Sequence, residues 1–218
     1  MRIAVAIEAT PKKSFATAVD WPGWSRSAKT EALAVEALAA YAERYSAVAR
    51  FAGEAFRIGV LLDFDVVERG EGDASTDFGV PGRVRNHDRR AVSATAADRL
   101  ARIVATAWQT LAIVGKNAPE ALRKGPRGGG RDTSKILLHV AESDLGYATV
   151  LGLMPKVDAS DPAAVAGVRH AMLDLLRQPS DGEPIAGRKW PPRYAAHRIA
   201  WHALDHAWEI EDRTEPAG

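Results

Sequence analysis

Two histidines four residues apart near the C-terminus, in Trp201-His202-Ala203-Leu204-Asp205-His206, are the side chains best placed to do chemistry. From Arg193 to Arg213 the chain has no glycine or proline. Ala195, Ile199, His202, His206 and Glu209 follow one another at spacings of four, three, four and three, which draws one stripe along a helix. Two imidazoles one turn apart on such a stripe can reach a single metal ion. The plainer alternative is a pair of packed histidines with ordinary hydrogen bonds, and what weighs against it is a third candidate, His139, in a second amphipathic segment. Three neutral imidazoles leave an ion its full double charge and at least one open position, which is the catalytic rather than the structural arrangement. Zinc is the first expectation and nickel the second, since imidazole suits both. Glu142, one turn from His139, and Glu209, one turn from His206, are candidates for moving a proton or orienting an imidazole, and Asp205 for steadying one. Each of these carboxylates also reads as a solvated helix charge.

The elements that must position these residues follow from composition and pattern. With 218 residues, 46% of them hydrophobic, the chain can bury a core as one large domain or two small ones. The formal net charge of +1 is spread along the chain, which argues against a nucleic-acid partner. The absence of cysteine excludes disulfides, protein thiolates and CxxC metal sites, so any metal must be held by His, Asp, Glu or backbone. The N-terminal apolar run Ile3 to Ile7 is too short for a signal peptide or a membrane span, so a cytoplasmic protein is expected.

Residues 2 to 7 and Ser14 to Val19 alternate in the manner of a β-hairpin, which Trp21-Pro22-Gly23-Trp24 then breaks. Thr30-Glu31 opens a helix to about Ala49, and a third strand is expected from Phe56 to Glu68. Residues 69 to 94, rich in Gly, Asp and Arg, read as a linker in which His87 is a surface loop residue. Four amphipathic helices follow, at about 95 to 115, Thr133 to Leu153, from Pro162, and from Pro192 to Arg213. They predict a four-helix bundle, an architecture that builds metal sites from inward side chains on facing helices. The basic glycine-rich run Lys124 to Arg131 lacks the spacing and terminal Lys-Ser/Thr of a P-loop and reads as a linker or the edge of a site. His197 and His170 fall off the His202/His206 stripe and the helix-three core stripe respectively and stay outside the site.

Two resemblances sharpen this outline. Val19-Asp20-Trp21-Pro22-Gly23-Trp24-Ser25 followed by Thr30-Glu31-Ala32-Leu33 resembles the HicB-like antitoxin fold over residues 1 to 68, a small β-β-α-β unit used as a partner-binding module. Leu138-His139-Val140-Ala141-Glu142 together with His202-Ala203-Leu204-Asp205-His206 resembles the DinB-like (YfiT-like) superfamily of four-helix bundles over residues 95 to 213. The expected organisation is therefore α+β and mostly α: a HicB-like domain at 1–68, a linker at 69–94 and a DinB-like bundle at 95–218.

The second resemblance implies a divalent transition metal on His139, His202 and His206. It also implies chemistry like that of low-molecular-weight-thiol S-transferases, in which a metal-bound thiolate is transferred to, or exchanged on, a small electrophile. Arginine well outnumbers lysine, as in proteins from GC-rich bacteria, which makes mycothiol a candidate thiol. Glu142 would move the proton. The related mycothiol-dependent isomerases pair a Glu with a His on the fourth helix, and residue 202 is His here, so isomerase chemistry does not carry over. The expected partners are a small-molecule thiol and an electrophilic substrate, with no nucleic acid, no membrane and a homodimer left open. A hydrolase that uses a metal-bound hydroxide, and a non-enzymatic partner-binding protein built on the HicB-like module, remain alternatives.

Overall fold

The computed structural model describes residues 1–57, 62–124 and 130–214 and has an α+β fold, with a mixed four-stranded sheet at the N-terminus and helices through most of the remainder. Strands β1 (Arg2–Ala9) and β2 (Ser14–Ala18) form the expected hairpin, with Val5 opposite Ala18 and Ala9 opposite Ser14. Two further strands flank it, β3 (Ser25–Ala28) antiparallel to β2 and β4 (Asp63–Glu71) parallel to β1, in the order β3-β2-β1-β4.

Strand β3 lies where the sequence pattern ends a strand, and its Ser-Arg-Ser-Ala run carries no apolar alternation. Pairing is supplied instead by the backbone and by the Ser25 hydroxyl, which donates to Thr17 Oγ1 at 2.9 Å. The turn before it is tight: Gly23 has φ +91°, and a Cβ there would lie 2.8 Å from Leu204 Cδ1. Only glycine combines that backbone with that approach.

The single helix expected after Thr30 is two, α1 (Glu31–Ala40) and α2 (Ala42–Phe51), broken at Tyr41. Thr30 caps α1 as expected, its side chain accepting from Leu33 N. The break turns Tyr41 toward the C-terminal helix, where its ring lies 5.1 Å from that of Trp208 and its hydroxyl donates to Asp212 at 2.9 Å. Strand β4 starts at Asp63, not at Phe56; Phe56 is a core residue whose ring meets Trp21 at 4.8 Å and Trp24 at 5.4 Å.

Residues 69–94, expected as a linker, are built structure: the end of β4, the short helix α3 (Ala74–Phe78) and a 3-10 turn at His87–Arg89. Polar side chains rather than an apolar period hold this strap. Buried Glu8 accepts from the Thr76 hydroxyl and from the N–H groups of Gly82 and Arg83. Arg85 and Asp88 form a buried two-pronged ion pair at 2.8 and 2.9 Å. His87 is not a surface residue, since its side chain is 14% exposed and sits 3.4 Å from Asp20.

The four long helices fall close to their expected bounds: α4 (Ala94–Asn117), α5 (Thr133–Val150), α6 (Pro162–Leu176) and α7 (Pro192–Thr214). Ser93 caps α4, and Asp161 with Pro162 opens α6. The helices pack on one another, α4 and α7 most extensively. Helix α7 also meets the N-terminal part: Trp201 packs edge-on against Phe15 at 6.2 Å. One cluster of buried residues accordingly runs through both parts, from Ile3 to Ile210. No described helix is long and apolar enough to cross a membrane. Residues 125–129 of the glycine-rich run lie outside the described residues.

Candidate metal centre

Helix α5 supplies His139, and α7 supplies His202 and His206 from successive turns of one face. The three rings converge, with centroids 5.2 Å apart for His139 and His202, 5.1 Å for His139 and His206, and 4.7 Å for His202 and His206. One ring nitrogen from each lies within 4.8 Å of the others, so the group is positioned to bind a metal ion. The fourfold spacing within α7 was visible in the chain, but that α5 crosses α7 at this height is a property of the packing.

The surroundings disfavour the charged form of His202 and His139. His202 is buried, with the Tyr147 ring edge-on at 5.7 Å and Trp201 tilted at 6.0 Å. Burial first, and then His206 and Arg198, push its pKa down to about 2. His139 is also held below the ordinary histidine range, by burial and then by Arg131 and His206. Neutral imidazole is the form that ligates metals. On His206, Nδ1–H donates to Glu209 Oε2 at 2.8 Å, which leaves Nε2 free for the centre. Burial alone would raise the Glu209 carboxyl, but His206 and Arg213 hold it below its usual value, and Arg213 Nη1 donates to Oε1 at 2.8 Å.

The donor set fits a divalent transition metal. Among the described residues none of the three rings hydrogen-bonds another, and the buried Nδ1 of His202 has no partner. A buried polar nitrogen without a partner costs about 1–3 kcal/mol. A cation shared by three imidazole lone pairs would relieve that cost, and imidazole is a good ligand for zinc, copper, iron or nickel.

The other expected residues divide. Glu142 is exposed, close enough to His139 to act on it electrostatically, and makes no hydrogen bond among the described residues. Asp205 does not steady an imidazole: Arg26 Nη1 holds it at 2.8 Å, because β3 brings Arg26 to that side of α7. His197 is outside the group, buried, with Nε2–H donating to Val19 O at 2.8 Å. His170 is exposed on α6. Trp201 and Trp208 are buried packing residues. Two neighbours of the site escaped the sequence reading, Tyr147 and Arg198, while Arg131 closes the glycine-rich run read as a linker or the edge of a site. Tyr147 comes eight residues after His139 and Arg198 four before His202, so helical spacing was the available signal.

No protein-family model, no curated protein and no solved structure matches the chain.

Proposed function

We propose that the protein is a metal-dependent enzyme that transfers or exchanges a low-molecular-weight thiol on a small electrophile, with His139, His202 and His206 holding a divalent ion, zinc before nickel. The observation that carries this reading is the convergence of three imidazoles from two helices, each offering a ring nitrogen within 4.8 Å of the others. The bound ion would supply a Lewis acid able to make a thiol or water acidic near neutral pH. The resemblance to DinB-like bundles supports the thiol over water, and the lack of cysteine in the chain is consistent with a nucleophile brought by the co-substrate.

The chain's own residues have distinct tasks. Glu209 orients His206 through Nδ1, and Arg213 fixes Glu209 in turn. Tyr147 and Trp201 wall in His202 and exclude water from one side of it. Among the described residues Glu142 has no ion-pair partner; its carboxylate takes the proton as the thiol ionises, and the thiolate sulfur then bonds to carbon as the leaving group departs from the electrophile. The HicB-like resemblance of the sheet supports a role for residues 1–68 in docking a partner or a second subunit.

The test begins with elemental analysis of untagged protein purified without added metal. The metal-loaded enzyme is then offered monobromobimane with mycothiol, bacillithiol, glutathione or cysteine, and conjugates are followed by mass spectrometry. Metal-dependent product that needs a thiol and falls in Glu142→Gln supports the reading. Metal-dependent product without thiol moves the assignment to hydrolysis. No product with any thiol, at equal and near-zero metal content in wild type and His202→Ala, returns it to a partner-binding protein.

A further inference from the structure

One turn before His202 on the same face of α7 stands Arg198, four residues away and about 6 Å along the helix axis. Its guanidinium carbon lies 5.3 Å from the Tyr147 ring centroid and 4.8 Å from that of Trp201, the two rings that flank His202. Nη1 is buried and has no hydrogen-bond partner, and no carboxylate of the described residues pairs with the side chain.

The nearby carboxylates are already committed. Glu8 borders the same small cavity as Arg198 but is taken by Thr76, Gly82 and Arg83. Glu209 is held by His206 and Arg213, and Asp205 by Arg26. That cavity, of about 20 Å³, has room for a single water and lies on the sheet side of Arg198, away from the three histidines, none of which lines it. Exposed Arg131 is a second guanidinium that has no ion pair among the described residues and acts electrostatically on His139 and His202. A cation set against two aromatic rings and without a carboxylate partner among the described residues makes the site attractive to anions.

We infer that Arg198 is a specificity residue that receives a carboxylate of the molecule occupying the three-histidine site, so that the substrate class is small carboxylic acids. This rests on the three histidines forming the substrate site. A planar carboxylate matches the fork of the guanidinium. The helical rise from His202 to Arg198 suits a carboxylate two or three bonds from the reacting atom.

The test uses the full chain loaded with cobalt(II) and the matched pair 3-mercaptopropionate and 3-mercaptopropionamide, titrated by the near-ultraviolet absorption of a cobalt–thiol complex. The same proteins, metal-free, are titrated with propionate and propionamide while the arginine side-chain Nε–H resonance lost in Arg198→Lys is followed by NMR. The wild type is expected to bind the thiol acid at least tenfold more tightly than the amide. Arg198→Gln should bring the ratio to near one without changing cobalt uptake or amide affinity, and Arg198→Lys should keep part of it. Such a preference places the carboxylate on the thiol. A ratio near one with a saturable propionate shift at Arg198 places it on the second substrate. A ratio near one with no response to propionate overturns the inference, as does a preference that survives in Arg198→Gln or vanishes only in Arg131→Gln. Failure to take up cobalt counts against the metal reading alone, and the propionate titration then decides the role of Arg198 by itself.

Discussion

Helix α7 carries two buried histidines five residues apart, and they are satisfied in opposite ways. The Nε2–H of His197 finds the carbonyl of Val19, beside the buried Arg85–Asp88 pair, and the sheet and strap enclose it. Its pKa is pushed to about 3 by burial and then by Arg85. His202 is nearly as buried and is pushed lower still, but makes no hydrogen bond within the described chain and faces two more imidazoles. The first ring is tied into the fold through Nε2, although its buried Nδ1, like that of His202, has no partner. The second is tied to no group of the described chain and meets two further imidazoles at one point, and that convergence marks the site.

The largest effect is expected from removing residues 1–94. This takes away Val19, Arg85 and Asp88, which enclose His197, together with Phe15 and Tyr41, which cover Trp201 and Trp208. The 95–218 fragment should lose the cooperative thermal transition of the whole chain in circular dichroism. A cooperative, metal-binding fragment would mean that the two ends of α7 are independent.

Next come reciprocal substitutions. His202→Ala should reduce bound metal from about one equivalent to near zero by elemental analysis. His197→Ala should keep the metal but lose about 2–4 kcal/mol in denaturant unfolding through a buried cavity and a lost hydrogen bond. Equal metal loss in both would erase the distinction between them. Glu209→Gln should weaken metal binding by about 10–100-fold in competition with a chelator, because a neutral amide orients His206 less firmly. An unchanged affinity would show that Glu209 serves only Arg213.

The smallest effect concerns pH. Below about 6.5 an unfolded histidine takes a proton that folded His197 refuses down to about 3, so stability falls with falling pH across that window. Between pH 6.5 and 5 the loss from this residue is at most about 2 kcal/mol, and His197→Gln should remove it. Metal-free His202 contributes in the same direction, and bound metal leaves its share in this window unchanged, because the folded ring is already unprotonated there. Asp144 opposes both. Burial raises its carboxyl to about 6 against the opposing pull of Arg169, so the folded chain holds that proton more tightly, and protonation between pH 6 and about 4 adds stability. Urea midpoints at pH 7 and pH 5 for wild type, His197→Gln and Asp144→Asn separate the three.

Local chemistry made much of this legible from the chain. The period of apolar residues, the capping residues Ser93 and Asp161 and the proline at 162 bound the four long helices, because those signals act within a turn or two. The i, i+4 pair His202/His206 was readable for the same reason. Strand β3 was not, since its pairing depends on β2 and not on its own side chains. The break at Tyr41 was not, because no glycine or proline marks it and the ring that Tyr41 meets there, Trp208, lies far along the chain. Nor could spacing show that Asp205 belongs to Arg26 or that Arg198 stands unpaired between Tyr147 and Trp201. Residue types and helical periodicity were enough to nominate three ligands. Which nitrogen lacks a partner, which carboxylate is already spent and which cation is left over depend on contacts between residues far apart in the chain, and only tertiary packing sets those.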